Sequence, residues 1–311
     1  MMIAYNHEKF IAQALDSILS QQVNFDYEIV VGEDCSTDGT REILMDFHRR
    51  YPQIILPLLH QRNLGALSNM AATIAKCRGT YLAFLEGDDF WTDPNKLKKQ
   101  VEFLDAHPAS VICCHRVKLL DPEKREGIDV HPSRPPGSYS IQDLFRENFA
   151  PTCSVVLRRE LIGALPPWHS QLAMGDWSLL ALVAEHGAIE LMNEVMAVYR
   201  VHPGGIWSSR PMASRLREIS RLLEVLDKHF DFKYTNVIRS SLAKHYFDLA
   251  LLEREKGSRL DTARYTLACI RNGGWYFPRR ILGGLAIYTL IGRWYKLFSK
   301  ANSIDASRPK A

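Results

Sequence analysis

The chain has 311 residues, of which 46% are hydrophobic and 24% are charged. This is the composition of an ordinary globular protein that can bury a core in one large domain or two smaller ones. The net charge of +4 is too weak to indicate nucleic acid as a partner, although it is compatible with an anionic substrate or an anionic membrane surface.

The six cysteines form no C-x-x-C pair and show no zinc-site spacing, so we expect buried free thiols in a reducing compartment. The N-terminus lacks the basic and apolar regions of a signal peptide. No stretch reaches the roughly 18 to 20 uninterrupted apolar residues that a membrane span needs. We therefore expect a cytoplasmic protein.

Strand and helix patterns alternate through the first half of the chain. Met1–Ala4 has the pattern of a strand that is shorter than usual, from which we expect the natural protein to begin upstream of Met1. Apolar residues then recur at helical spacing from Phe10 to Leu19. Further strands are predicted at Tyr27–Val31, Ile54–Leu59, Tyr81–Leu85, Val111–Leu120 and Thr152–Arg158. The alternation predicts an α/β fold with a doubly wound, mostly parallel, Rossmann-like sheet.

The pattern changes in the second half. Ile189–Val201 is predicted as two short strands, and beyond Ser208 only helical patterns remain. We place a domain boundary there, between a sheet-bearing domain of residues 1–208 and an all-helical C-terminal region of residues 209–300. The tail, residues 301–311, is predicted to be disordered.

The C-terminal region contains an apolar run, Ile281–Ile291, between basic and aromatic flanks. The run is too short to cross a bilayer. It is either a core helix or a helix that lies in a membrane interface, with Arg279, Arg280, Arg293 and Lys296 near anionic headgroups. The second alternative makes this region membrane-facing and the protein peripheral to the inner face of the cell membrane.

The predicted strand Tyr81–Leu85 runs directly into three acids, Glu86, Asp88 and Asp89. Open α/β sheets bind their ligands at the carboxyl ends of such strands. Carboxylates this close repel one another, and Mg²⁺ or Mn²⁺ would offset the repulsion while completing its shell with water and phosphate oxygens. The structural alternative is an acidic turn at the N-terminus of the helix after Pro94.

Four motifs now lie in one order: A-Y-N-H-E-K-F-I, E-D-C-S-T-D-G-T, R-N-L-G and E-G-D-D-F-W-T-D-P. Together they resemble the family 2 glycosyltransferases of the glycosyltransferase-A fold, from Met1 to about Trp207. The resemblance implies that residues 1–208 form a catalytic domain. It also implies inverting transfer of a sugar from a nucleotide-diphosphate sugar, most commonly a UDP-sugar, to a hydroxyl acceptor.

The resemblance assigns the first two loops to the nucleotide, and the matching positions are Ala4, Tyr5, Asn6, Glu8 and Asp34. We expect Arg62 and Asn63 of the third motif to line the donor pocket. The family's D-x-D metal motif falls on Glu86-Gly87-Asp88, with glutamate in its first position. We therefore predict that Asp88 binds Mg²⁺ or Mn²⁺ and that Glu86 reaches the ribose or a metal-bound water.

The family also takes a general base from an acid at the start of a later helix, and the matching residue is Asp176. A helix N-cap is the alternative for this aspartate. The segment Y-R-V-H-P-G-G-I-W resembles a closing loop of some relatives, in which His202 would complete the metal shell and Arg200 would meet the diphosphate. Trp177 and Trp207 would stack on a sugar or pack in the core.

Two other functions remain open on these residues. A nucleotidyltransferase also holds a metal with acids on such a sheet, but it needs a glycine-rich phosphate loop that A-Y-N-H-E-K-F lacks. An inactive module that binds glycans or partners would explain the glutamate at position 86. With the apolar run, the resemblance favours a lipid-linked glycan acceptor, as in surface polysaccharide biosynthesis.

Overall fold

A computed structural model of the chain describes residues 1–121, 130–207 and 209–274. It forms two compact units, Met1–Ser209 and a second that begins at Arg210. This division falls beside the predicted boundary, while the apolar run Ile281–Ile291 and the predicted tail lie outside the described residues. The α/β class and the helical C-terminal region are confirmed.

The first unit holds the strands. They are β1 Met2–Ala4, β2 Ile29–Glu33, β3 Ile55–Leu59, β4 Tyr81–Ala83, β5 Phe90–Trp91, β6 Ser110–Leu120, β7 Val130–His131, β8 Gly137–Tyr139, β9 Val156–Arg158 and β10 Ala188–Arg200. Its helices are α1 Ile11–Leu19, α2 Thr40–Arg50, α3 Ala66–Ile74, α4 Lys96–Ala106, α5 Ile141–Arg146 and α6 Gly175–Ala184.

Strands β1, β2 and β3 form a parallel sheet in that order. Every residue of β2 is buried, as expected of a strand covered on both faces. Pro57 lies in β3 at the edge of this sheet, the position that a residue without an N–H can occupy. The backbone beyond β4 continues alongside β1, because the Leu85 N–H donates to Met1 O at 3.1 Å and the Gly87 N–H to Ile3 O at 3.0 Å.

The second sheet has the order β4-β9-β6-β10-β5, with β7 beside β6 and β8 beside β10. Only β6 and β10 pair in parallel among its described strands, and the other pairings are antiparallel. The expected parallel arrangement therefore describes the first sheet and the β6–β10 pair, and antiparallel pairing dominates elsewhere.

Two predicted strands differ from the observed ones. Ile189–Val201 is a single strand, β10, whose register shifts around Val195 form a bulge that exposes three residues. Thr152–Arg158 begins instead as a 3₁₀ turn, Thr152–Ser154, and only its last three residues form β9. The Ser154 hydroxyl donates to Pro151 O at 2.7 Å, which closes this turn.

Helix α4 buries polar as well as apolar side chains. Leu97 and Leu104 are buried, and Lys96 and Gln100 are fully buried as well. Lys96 Nζ donates to Gln100 Oε1 at 2.7 Å and lies 4.2 Å above the ring of Trp91. Because burial disfavours its charge, the pKa of Lys96 falls to about 7.

The second unit consists of α7 Met212–His229, α8 Thr235–Glu255 and α9 Arg259–Arg271. Its core is a small apolar cluster that includes Leu216, Phe247 and Leu249. No helix within the described ranges is long and apolar enough to cross a membrane. All six cysteines are free thiols, as expected, and five of them are buried, while Cys35 is partly exposed.

Candidate functional site

The loops after β1, β2 and β4 meet at one edge of the sheet. The Asn6 N–H donates to Ser36 Oγ at 3.0 Å, and Asn6 Oδ1 accepts from the Thr37 N–H at 2.9 Å. Asn6 adopts a left-handed backbone, with φ of 56°, which asparagine tolerates better than most residues. The first two sequence motifs are thus hydrogen-bonded to each other beside the acidic turn Glu86–Asp89.

The acidic turn packs closely on the first loop. A Cβ on Gly87 would lie 2.7 Å from His7 Nδ1 and 3.2 Å from the Cβ of Ala4. Only glycine leaves room for the imidazole at this position. The His7 N–H in turn donates to Thr40 Oγ1 at 2.7 Å, which fixes the residue against the start of α2.

Several carboxylates share this edge. Glu86 Oε2 is buried and has no hydrogen-bond partner among the described residues. Burial raises the pKa of Glu86 well above its usual range, and the charges of Asp89, Asp88 and Asp176 raise it further. Burial, followed by the charge of Asp88, also raises the pKa of Asp89 well above normal. Ionising all of these carboxylates at once is therefore unfavourable unless a cation lies beside them.

Asp88 is bracketed by two histidines. Its Oδ2 lies 3.1 Å from His202 Nε2 and 3.6 Å from His7 Nε2. Burial acts to raise the pKa of Asp88, but the hydrogen bond to His202 and the nearby His7 outweigh it, so the pKa lies below its usual range. Asp88 is thus the carboxylate of this turn that is held ionised, as a metal ligand must be.

The residues around Asp88 fit a divalent ion that binds few protein groups. Asp88 Oδ2 and His202 Nε2 lie 3.1 Å apart, so the two atoms could bind one ion once the proton between them is released. No group of three or more His, Cys, Asp or Glu side chains placed to hold an ion occurs in the described part of the chain. Mg²⁺ and Mn²⁺ can complete such a shell with water and phosphate oxygens.

Arg200 at the end of β10 is hydrogen-bonded to the acidic turn Glu86–Asp89. Its N–H donates to Asp89 Oδ1 at 2.8 Å, and its guanidinium bonds to the carbonyl oxygen of Asp88 and to Gln13. The guanidinium also lies 4.5 Å above the ring of Phe90. The predicted role of Arg200 at the diphosphate stays a prediction, and the structure adds that this side chain supports the acidic turn.

Asp176 lies in the first turn of α6, and the N-cap is Met174, so the N-cap alternative is wrong. Burial raises the pKa of Asp176, and its Oδ2 accepts a hydrogen bond from Thr152 Oγ1 at 3.2 Å. A Cβ on Gly175 would lie 2.0 Å from the side chain of Leu67. Glycine therefore lets the start of α6 approach α3.

The predicted nucleotide residues of the first loop differ in exposure. Ala4 is buried and its carbonyl oxygen accepts from the Asp34 N–H at 3.0 Å, whereas Tyr5 is an exposed aromatic residue. Glu8 Oε2 accepts from the Gly39 N–H at 3.2 Å, and Gly39 is the N-cap of α2. Glu8 therefore supports the helix that follows the second motif.

Asp34 ties the second loop to the third. Its Oδ1 accepts from the Leu64 N–H at 2.7 Å and its Oδ2 from the Gly65 N–H at 3.0 Å. Asn63 Oδ1 accepts from the same Gly65 N–H at 2.9 Å, and Arg62 is exposed. Each oxygen of Asp34 keeps a second lone pair for a base or ribose, so its predicted contact with the nucleotide stays a prediction.

Sequence reasoning missed several residues of the site. His7 faces Asp88, and Thr152 faces Asp176. Glu33, the fully buried residue before Asp34, pairs with Arg41 and accepts the Ser36 N–H at 2.7 Å. Of these, His7 and Glu33 lay within the first two motifs, where the signal was a titratable side chain directly after Asn6 and directly before Asp34.

Trp177 and Trp207 were expected to stack on a sugar or to pack in the core. Trp177 is buried, and its Nε1 has no hydrogen-bond partner among the described residues. It therefore packs in the core. Trp207 is half-buried in the segment after β10.

The sequence model described as Glycosyl transferase family 2 matches residues 1–163, which is more than half of the chain. The chain belongs to glycosyl transferase family 2. The resemblance identified from the four motifs is confirmed. The motifs of the first three loops and the Glu86–Asp89 turn lie inside the matched residues. Asp176, Arg200 and His202 lie beyond them.

Relatives of this family 2 chain occur in several bacteria. An uncharacterized protein of Mycobacterium tuberculosis is 38% identical over 211 residues, which cover 67% of this chain and 59% of that protein. This chain thus spans about three fifths of the length of its mycobacterial relatives. TuaG of Bacillus subtilis, named provisionally as a teichuronic acid biosynthesis glycosyltransferase, is 28% identical over 70% of this chain and 86% of its own length.

Solved structures resemble the fold. S. aureus TarS in complex with UDP-GlcNAc has a TM-score of 0.63 at 17% identity, over 90% of this chain and 81% of TarS. The mannosyltransferase PcManGT from Pyrobaculum calidifontis, solved with GDP-Man and Mn²⁺, has a TM-score of 0.54 at 14% identity, over 93% of this chain and 85% of that one. This family 2 chain has the glycosyltransferase-A fold.

Proposed function

We propose that this chain is an inverting glycosyltransferase that moves a sugar from a nucleotide-diphosphate sugar to a hydroxyl acceptor. The observation that carries the proposal is the convergence of Glu86, Asp88 and Asp176 at the edge of the sheet, with His202 on Asp88. The charges of Asp88 and Asp176 both raise the pKa of Glu86, which supports our proposal that the candidate metal ligand and the candidate base belong to one site.

Asp88 and His202 would hold Mg²⁺ or Mn²⁺, with His7 beside them. The bound ion would neutralise charge on the departing diphosphate. Arg200 fixes the backbone of Asp88 and adds a positive charge beside it. Glu86, which has a buried oxygen without a partner among the described residues, can accept a hydrogen bond from the ribose or from water.

Asp176 would remove the proton of the acceptor hydroxyl as that oxygen attacks the anomeric carbon. Its raised pKa favours this role, because a base accepts a proton more effectively when its pKa approaches the working pH. The hydrogen bond from Thr152 orients the carboxylate. Attack from the face opposite the diphosphate inverts the anomeric configuration.

The donor and the pathway are proposed from the loops of the site and from the relatives. Ala4, Tyr5, Asn6, Glu8, Asp34, Arg62 and Asn63 line the loops where the nucleotide-sugar would bind. The complexes of TarS with UDP-GlcNAc and of PcManGT with GDP-Man make UDP and GDP the first donors to test. The name of TuaG, a teichuronic acid biosynthesis glycosyltransferase, supports a role in polysaccharide biosynthesis. We propose that the reaction takes place in the cytoplasm on a glycan or lipid-linked glycan acceptor.

Calorimetric titration of UDP, GDP, dTDP and CDP, with and without Mn²⁺, tests the donor site. We expect one nucleotide to bind in a metal-dependent manner, and Asp88→Ala to abolish the effect of the metal. Asp46→Ala, which removes an exposed carboxylate paired with Arg49 and Arg50, is the matched control and should bind as the unmodified chain does.

Transfer or donor hydrolysis then separates an enzyme from an inactive binding module. Metal-dependent release of the nucleotide from the sugar donor that matches the bound base supports the proposal. Nucleotide binding without turnover on any matching donor would favour the inactive module. Turnover that is unchanged in Asp88→Ala would overturn the assignment of the metal site.

A further inference from the structure

Helix α9 of the second unit carries a surface stripe formed by Leu260, Arg264, Leu267 and Arg271. The four residues are spaced by four, three and four positions, which places them in one line along the helix. All four are exposed; Leu260 is 82% and Leu267 is 47% exposed. We call this line of residues the α9 stripe.

The opposite face of α9 contains polar residues. Thr262 and Thr266 are buried, and their hydroxyls donate to the carbonyl oxygens of Ser258 at 2.6 Å and of Thr262 at 2.7 Å. The helix thus turns two threonines inward and two leucines outward. Burying a leucine contributes roughly 1.5 to 3 kcal/mol, so this orientation leaves favourable burial unused within the unit.

The charge around the α9 stripe is positive. Arg239 on α8 donates to the carbonyl oxygen of Arg271, which adds a third guanidinium at one end of the stripe. Neither Arg264 nor Arg271 forms an ion pair with any residue in the described ranges. The nearby acid Asp261 accepts a hydrogen bond from Ser258 Oγ at 2.8 Å. A partner for this surface must therefore combine apolar and anionic character.

The chain beyond the described residues has the same sign of charge. Between Trp275 and Lys300 the sequence has five Lys or Arg residues and no Asp or Glu. An anionic lipid surface complements the α9 stripe and the basic sequence that follows it. Its headgroups would meet the arginines, and its hydrocarbon boundary would accept the leucines of the stripe.

We propose that α9 docks on an anionic lipid bilayer through the α9 stripe. Leu260 and Leu267 enter the boundary of the apolar layer, and Arg264 and Arg271 contact the headgroups. The docking surface rests on the second unit alone and does not depend on the proposed transfer reaction.

Vesicle co-sedimentation of the full chain tests the docking surface. The vesicles are phosphatidylcholine alone, or an equal mixture of phosphatidylcholine and phosphatidylglycerol. We expect binding only to the mixture and weaker binding in high salt.

Arg264→Gln with Arg271→Gln should weaken binding on the order of 30-fold, since each cation near such a surface contributes about 1 kcal/mol. Leu260→Ser with Leu267→Ser should weaken it about tenfold or more.

Matched controls distinguish the α9 stripe from general charge and hydrophobicity. Arg221→Gln with Lys228→Gln removes the same charge from exposed positions of α7. Met212→Ser with Phe232→Asn removes two exposed apolar side chains elsewhere in the unit. Both controls should bind vesicles within about twofold of the unmodified chain. Circular dichroism melts check that every variant is folded.

Three results would overturn the docking surface. The full chain could fail to bind the mixed vesicles, or the stripe variants could bind as well as the controls, which would locate any membrane contact elsewhere. A dimer in solution that the leucine variant dissociates would show that a second copy covers the stripe. Nucleotide titration of the same samples reports the first unit separately, so the proposed reaction and the docking surface fail independently.

Discussion

The two compact units place their energetically unfavourable groups in opposite locations. In the first unit Asp89 and Lys96 are buried, and Glu86 has a buried carboxylate oxygen without a hydrogen-bond partner among the described residues. In the second unit Leu260 and Leu267 are exposed on α9. Buried charge requires a compensating ion or proton, whereas exposed apolar surface requires a partner surface. We therefore propose different roles for the two units, sugar transfer at the acidic turn of the first and docking through α9 of the second.

Asp176→Asn gives the largest expected effect and tests the chemical half of the comparison. Asparagine keeps the shape and can still hydrogen-bond Thr152, but it cannot accept the proton, so the rate of transfer should fall about 10² to 10⁴-fold. Steady-state kinetics with the matching donor measures the loss, and nucleotide titration should show unchanged binding. A rate within about threefold of the unmodified chain would remove Asp176 as the base.

Lys96→Met tests how strongly buried charge affects the first unit. Because the pKa of Lys96 in the folded chain is about 7, below its value in the unfolded chain, the unfolded state binds more protons between the two pKa values. The free energy of unfolding should then rise between pH 7 and pH 9, by about 2 kcal/mol from this group. Denaturant titrations at several pH values should show that Lys96→Met loses this rise.

Lys98→Met is the control for Lys96→Met, since Lys98 lies on the same helix with an exposed ammonium paired with Glu102. Its free energy of unfolding should follow the same pH dependence as the unmodified chain. Equal slopes in all three proteins would show that Lys96 is solvated in solution.

Thr152→Val gives a smaller effect on the same site. Losing the hydroxyl that donates to Asp176 Oδ2 should lower the turnover number about tenfold and leave the Michaelis constant for the donor unchanged. A hydrogen bond to a carboxylate lowers its pKa, so removing it raises the pKa of Asp176 further. The acid limb of the pH-rate profile should move to higher pH, and Thr152→Ser should restore it. An unshifted limb would mean that Thr152 does not orient the base.

Leu260→Ser with Leu267→Ser should have the smallest effect on stability and sharpens the docking half of the comparison. Exposed side chains away from packing contacts change the free energy of unfolding by about 0.5 kcal/mol or less. Thermal melts without lipid measure the change. A loss above about 1 kcal/mol would show that the leucines are packed within the protein, which contradicts a free docking surface.

Local patterns predicted much of the first unit. The alternation of strand and helix and the acidic turn after β4 both follow from residues that are close in sequence. The motif resemblance added the family, which the family match over residues 1–163 confirms. The antiparallel pairing of the second sheet was missed, because strand partners far apart in sequence leave no periodic signal.

The sequence by itself determined which residue types reach the edge of the sheet, because parallel strands end at a common edge. Only the tertiary structure decided their partners. His202 meets Asp88 from 114 positions away, and Thr152 meets Asp176 from 24. Lys96 is buried although it is charged, and Leu260 is exposed although it is apolar. Burial depends on the packing of neighbouring elements as well as on polarity. Local chemistry thus selects the elements, and long-range packing decides which groups are ionised, buried or exposed.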